Sequence, residues 1–145
     1  MPFVLTSFRV TKFRSIIDSG ELSINEYMCL VGTNESGKTN LLLALHKLNP
    51  ADGAFIDPLA DYPRKHYLTY ETDAANEPFI RATFALDALS REQLASFLGV
   101  GYPMELLATV VVARYYNGLY AVNFPASFLE QYPNKYIHAL LSAFW

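Results

Sequence analysis

From Gly32 to Thr39 the chain reads GTNESGKT, the G-x-x-x-x-G-K-[ST] pattern of a phosphate-binding loop. The chemistry follows from the residue types. Gly32 and Gly37 permit backbone conformations closed to residues with a Cβ. The amides of Asn34, Glu35, Ser36, Gly37, Lys38 and Thr39 can then turn inward and form an anion nest. A helix starting near Gly37 adds the positive end of its dipole. Lys38 is the residue that reaches the β- and γ-phosphates, and the Thr39 hydroxyl is the expected Mg²⁺ ligand. Glu35 contributes through its backbone; its side chain is expected to face solvent and is no general base.

A phosphate loop needs a buried strand before it and a helix after it. The run YMCLV, residues 27–31, is apolar throughout and predicts a central strand covered on both faces. Its Cys29 is expected to be a small buried core residue. After the loop, KTNLLLALHKL predicts a helix that stops at Asn49-Pro50.

Upstream, LTSFRVTKFRSI reads as a strand, Asp18-Ser19-Gly20 as a turn and ELSI as a second short strand. Residues 49–77, with Pro50, Pro58, Pro63 and several aspartates, read as a long irregular connection. PFIRATFALD alternates like a strand. Ser90-Arg91-Glu92-Gln93 is a capping box that predicts a helix from about Arg91 to Leu98, stopped at Gly99. TVVVARYY and LYAVNF around Asn117-Gly118 predict a hairpin with a type I′ turn. The tail reads as two helical pieces broken at Pro133. These elements divide the chain into 1–50 (strands, loop and helix), 51–77 (connection) and 78–145 (an antiparallel lobe of the same domain).

Composition narrows the classes. The net charge of −3 leaves no electrostatic footprint for nucleic acid. No apolar run reaches transmembrane length, no signal peptide opens the chain, and a single cysteine fits a reducing compartment, so a cytoplasmic protein without membrane contact is expected.

The stretches FRVTKFRSI, LVGTNESGKTNLLLALHKLNP and DYPRKHY together resemble the N-terminal part of RecF/SMC-like, ABC-like AAA-type P-loop ATPases, in particular the group related to OLD-family proteins. The resemblance is firm over about residues 5–70. It implies an α/β P-loop NTPase fold, here the N-terminal half of a head with an antiparallel β lobe and an incomplete sheet. It implies ATP and Mg²⁺ as ligands. Asn40, which ends the G-x-N-x-S-G-K-T-N form of the loop, joins the nucleotide-binding residues. So do Arg14 and Ser15, because in this family the first strand ends in a basic residue that approaches the phosphates. Asp61-Tyr62-Pro63-Arg64 matches a recurring element of the family. Its charged residues could touch nucleotide or a partner subunit, or form a solvated turn.

Other family features are missing. No apolar strand ends in Asp-Glu; after VVVA stand Arg114 and Tyr115. No LSGG-like signature is present, and His46, His66 and His138 do not qualify as the switch histidine. Gln93 fits its capping box better than a γ-phosphate-sensing loop, and Gln131 is a weak candidate for that loop. The chain is therefore expected to bind ATP without hydrolysing it alone, as a segment of an ATPase in DNA repair or anti-phage defence. In such a parent two heads form a homodimer around ATP, and any DNA contact falls to other regions. The alternative is a complete small regulatory module that binds nucleotide without catalysis. A GTPase is disfavoured because Asn134-Lys135-Tyr136-Ile137 lacks the aspartate of N-K-x-D, and a small-molecule kinase is weaker still. With the strand before the loop short of parallel neighbours, the isolated chain is expected to self-associate or to need a further segment.

Overall fold

A computed structural model describes residues 3–33, 37–51, 53, 55–98 and 104–124. The expected tail helices, Gly99, Gln131, the 134–137 stretch and His138 lie outside them. The chain is mixed α/β, built on one six-stranded antiparallel sheet. The strands are β1 (Phe3–Phe13), β2 (Ile16–Asp18), β3 (Leu22–Ser23), β4 (Ile80–Leu86), β5 (Thr109–Arg114) and β6 (Tyr120–Asn123). The order is β2-β1-β4-β5-β6, with β3 also paired to β1.

β1 is long because aromatic and β-branched residues recur along it and every second one has somewhere to go. Phe8 and Val10 are buried, and they sit opposite Ala82 and Ile80 of β4. Arg9 and Thr11 take the other face, where Arg9 pairs with Asp18 of β2. The same register puts Val112 and Arg114 of β5 beside Ala82 and Ile80.

Onto this face packs α1 (Lys38–His46), with Ala44 and Leu48 buried against Phe8, Phe13, Phe79 and Tyr116. Burying each large apolar side chain contributes roughly 1.5–3 kcal/mol. The carbonyls just past α1 are held from the sheet. The Arg114 guanidinium donates to the Lys47 and Leu48 carbonyls, and the Tyr120 hydroxyl donates to Leu48 O at 2.8 Å. Arg114 thus fixes the chain where it leaves α1. A second cluster of Leu86, Leu94, Leu107, Val110 and Phe124 packs under α4 (Ala88–Leu98).

Four sequence expectations are corrected. The 27–31 run is not a strand: Met28 and Leu30 are half-buried, whereas Tyr27, Cys29 and Val31 are exposed. A strand covered on both faces needs neighbours on both sides, and the two edges of β1 are already taken by β4 and by β2 with β3. Residues 49–77 are not irregular. They form α2 (Pro58–Asp61), a 3₁₀ helix (Arg64–Thr69) and α3 (Tyr70–Asn76). Asp57 caps α2 by accepting from Leu59 N at 3.0 Å, with Pro58 at the first helical position. α4 starts earlier than its capping box implies, because Asp87 Oδ1 accepts from Ser90 N at 2.8 Å and Ser90 itself is buried. In the last hairpin Gly118 alone has positive φ, at 83°, and its amide donates to Tyr115 O at 3.1 Å. That is a type I turn with a left-handed glycine after it, not type I′, which needs positive φ at Asn117 as well.

Candidate phosphate-binding site

α1 begins at Gly37, whose φ of 87° and ψ of 4° are left-handed. Gly37, the N-cap, has no side chain to cap this end, and Leu41 N donates to Gly37 O at 3.0 Å. A Cβ at Gly37 would meet Ser15 Oγ at 3.4 Å and Ile16 Cγ1 at 3.6 Å. The glycine thus serves two ends, the turn into the helix and close approach to the β1–β2 turn. Asn40 ties the same two pieces together, its Nδ2 donating to Ser15 Oγ at 2.8 Å. Lys38 folds back over the loop, where its Nζ donates to the carbonyls of Gly32 and Thr33, each at 2.5 Å. Gly32 and Thr39 are exposed. Asn34, Glu35 and Ser36 lie outside the described residues. Of the expected site residues that are described, Arg14, Ser15, Gly37 and Asn40 meet around one turn, with Lys38 and Thr39 next in the chain.

That turn is strained. Lys12 and Arg14 hold φ of 49° and 52°, left-handed values that disfavour any residue with a Cβ. Such outliers persist where their surroundings fix them, and both are fixed here. The Tyr116 hydroxyl lies between Lys12 O (2.6 Å) and Asp61 O (3.0 Å), which share its proton. Arg14 N donates to Asp61 O at 2.6 Å. Lys12 Nζ pairs with Glu77 at 2.8 Å.

Asp61 is the centre of this arrangement, which excludes its reading as a solvated turn. Its side chain is 0% exposed. Oδ1 accepts from Arg14 Nε at 3.1 Å; Oδ2 accepts from Lys47 Nζ and from Asp57 N at 3.0 Å. One carboxylate thus faces two cations, and the Lys47 ammonium also donates to Phe55 O at 3.0 Å. Around it stands an aromatic wall. Tyr62 meets Tyr70 and Tyr116 edge-on at 5.1 and 5.3 Å, and Phe79 lies 5.3 Å from Tyr116. Burial raises the pKa of the Tyr116 phenol, which stays neutral.

Beside the turn opens a groove of about 560 Å³ lined by Arg14, Ser15, Asn40, Tyr62, Arg64 and Lys65, with Ile17, Ala60 and Pro63. Its lining holds three cationic side chains and no carboxylate, in a chain of net charge −3.

Sequence reasoning missed Lys47, Tyr116 and Lys65. Lys47 had a signal, a cation just past an apolar helix, but nothing in the sequence pointed it at Asp61. Asp57-Pro58 was a readable helix start. Among the described residues no cluster of His, Cys, Asp or Glu could hold a metal ion, and no helix is long and apolar enough to cross a membrane. Comparison with protein-family models, curated proteins and solved structures gives no match.

Proposed function

We propose that this chain binds a nucleoside triphosphate, ATP, through the loop from Gly32 to Asn40 and the Arg14-Ser15 turn, as the nucleotide-binding segment of an ABC/SMC/OLD-like ATPase acting in DNA repair or anti-phage defence. The carrying observation is the Asn40–Ser15 hydrogen bond of 2.8 Å. It joins two stretches of sequence, 25 positions apart, that the family resemblance marks independently as nucleotide-binding. The left-handed Gly37 supports the same reading, since it opens α1 within close approach of Ser15, and a helix start favours an anion. In this reading Lys38 exchanges its two loop carbonyls for phosphate oxygens. Thr39 would offer its hydroxyl to Mg²⁺, which would neutralise phosphate charge there. Two such heads would sandwich ATP in the parent.

Titration calorimetry with MgATP tests it. Lys38→Ala should weaken binding by about 1.5–3 kcal/mol, the loss of a charge-assisted contact. Equal affinity in the two proteins would remove the loop from the site.

A further inference from the structure

Arg64 and Lys65 have no part in the loop reading, yet they line the same groove as Arg14, Ser15 and Asn40. We propose that this groove is a subsite for the terminal phosphate of a nucleoside triphosphate, contacted by Arg64 and Lys65 together with Arg14. The inference rests on the nucleotide reading above and extends it to residues beyond the loop.

Asp61, the acid bonded to Arg14 of the lining, is already engaged by Lys47 and by the Nε edge of Arg14, so it has little left to neutralise the groove. Three cations around a concavity with no lining acid favour a compact anion over a neutral or cationic ligand. Arg14 and Arg64 are guanidinium groups, the side chains best matched to phosphate oxygens. The position is continuous with the phosphate loop. Ser15 and Asn40 form one wall of the groove, and Gly37 approaches Ser15 from the loop side. A polyphosphate anchored in the loop would therefore extend toward Arg64 and Lys65, and a ligand one phosphate shorter would fall short of them. The apolar members Tyr62, Pro63 and Ile17 displace water and strengthen the attraction. A nucleic-acid backbone fits less well. It needs cations spread along a track, whereas these three are gathered in one hollow.

The test is calorimetric titration of the wild type and of an Arg64→Ala/Lys65→Ala double variant with MgATP and with MgADP. Both residues are exposed, so the variant should fold, and a thermal melt checks this. The double variant should lose roughly ten- to hundredfold in affinity for MgATP and stay within about twofold for MgADP. Lys38→Ala should weaken both nucleotides. Equal losses for the two nucleotides in the double variant, or no loss, would overturn the subsite while leaving the loop reading intact. A loss confined to a single-stranded oligonucleotide would assign the cations to nucleic acid and also overturn it. A wild type that binds neither nucleotide would overturn both readings.

Discussion

Asp61 holds Arg14 at two points, its Oδ1 accepting from Nε at 3.1 Å and its carbonyl accepting from the backbone amide at 2.6 Å. The first contact aims the guanidinium and the second fixes the left-handed backbone that presents it. A buried acid on a short helix thus sets the direction of a side chain 47 positions earlier.

The two partners should differ when removed. Asp61→Asn takes the charge from a site that leaves Lys47, 8% exposed, buried without its counter-ion. Breaking a buried pair this way costs about 3–5 kcal/mol. Arg14→Ala leaves Asp61 with Lys47 and Asp57 N, and Arg14 is itself 37% exposed, so about 1 kcal/mol is expected. Urea unfolding of both variants measures the difference. Equal costs would show that the carboxylate is not the centre of the network.

Gly37 and Gly20 make a matched pair for the close approach at the loop. Both are left-handed, at φ 87° and 67°, but only Gly37 has a neighbour within 4 Å of a built Cβ. Gly20→Ala should cost only the backbone term, roughly 1–2 kcal/mol. Gly37→Ala should cost that and displace Ser15 as well. Thermal melts give the stability difference. Titration with MgATP should show weakened binding for Gly37→Ala alone; loss in both variants would indicate a general effect of destabilisation.

The alkaline limb of stability should depend on Tyr116. Burial raises the pKa of its phenol above the ordinary value near 10. A group whose folded pKa is raised contributes stability that is fully present below the unfolded pKa and is lost as pH rises beyond it. The chain should therefore weaken above about pH 10. Tyr116→Phe should lower stability at neutral pH by about 1–3 kcal/mol, because the carbonyls of Lys12 and Asp61 lose their shared donor. It should also flatten the limb. Tyr70 and Tyr120, raised by burial in the same direction, will keep some slope. Urea midpoints from about pH 8 to about pH 11 check both statements. An unchanged slope would mean that the Tyr116 phenol titrates alike in the folded and unfolded chain, as an exposed hydroxyl would.

Local chemistry was legible in the sequence where one stretch decides its own conformation. β1, β4, the β5–β6 pair and α1 all follow from periodicity and their punctuating residues. The bond between Asn40 and Ser15 was not legible from any local pattern, since the two lie 25 positions apart. What stayed hidden depends on partners distant in the chain. Asp61 reads as a loop acid until Lys47, Arg14 and Tyr116 close around it. Ser90 reads as a helix cap because Ser-x-x-Gln is a valid local solution; Asp87 wins by offering the same bond three residues earlier. There the Ser90 hydrogen bonds, side chain first and then backbone, lower the carboxyl's pKa. The 27–31 run failed for the opposite reason. Its composition states what it could bury, and only the sheet decides whether anything lies against it.

That run supplies a direct chemical test through the chain's single cysteine. Cys29 is exposed, between exposed Tyr27 (85%) and Val31 (89%), while Met28 packs toward the core. The segment is thus covered on one face only. A strand enclosed on both faces would hide the thiol, and a one-sided segment leaves it open to reagents. Under native conditions Cys29 should react completely with a thiol-specific disulfide reagent, at a rate within about tenfold of a free cysteine in a short peptide, since accessibility and thiolate fraction govern the reaction. Adding denaturant should accelerate it little. A thiol that reacts only after unfolding would mean that 27–31 is a buried strand after all, as its apolar composition predicts, and that this face of the sheet is closed in solution.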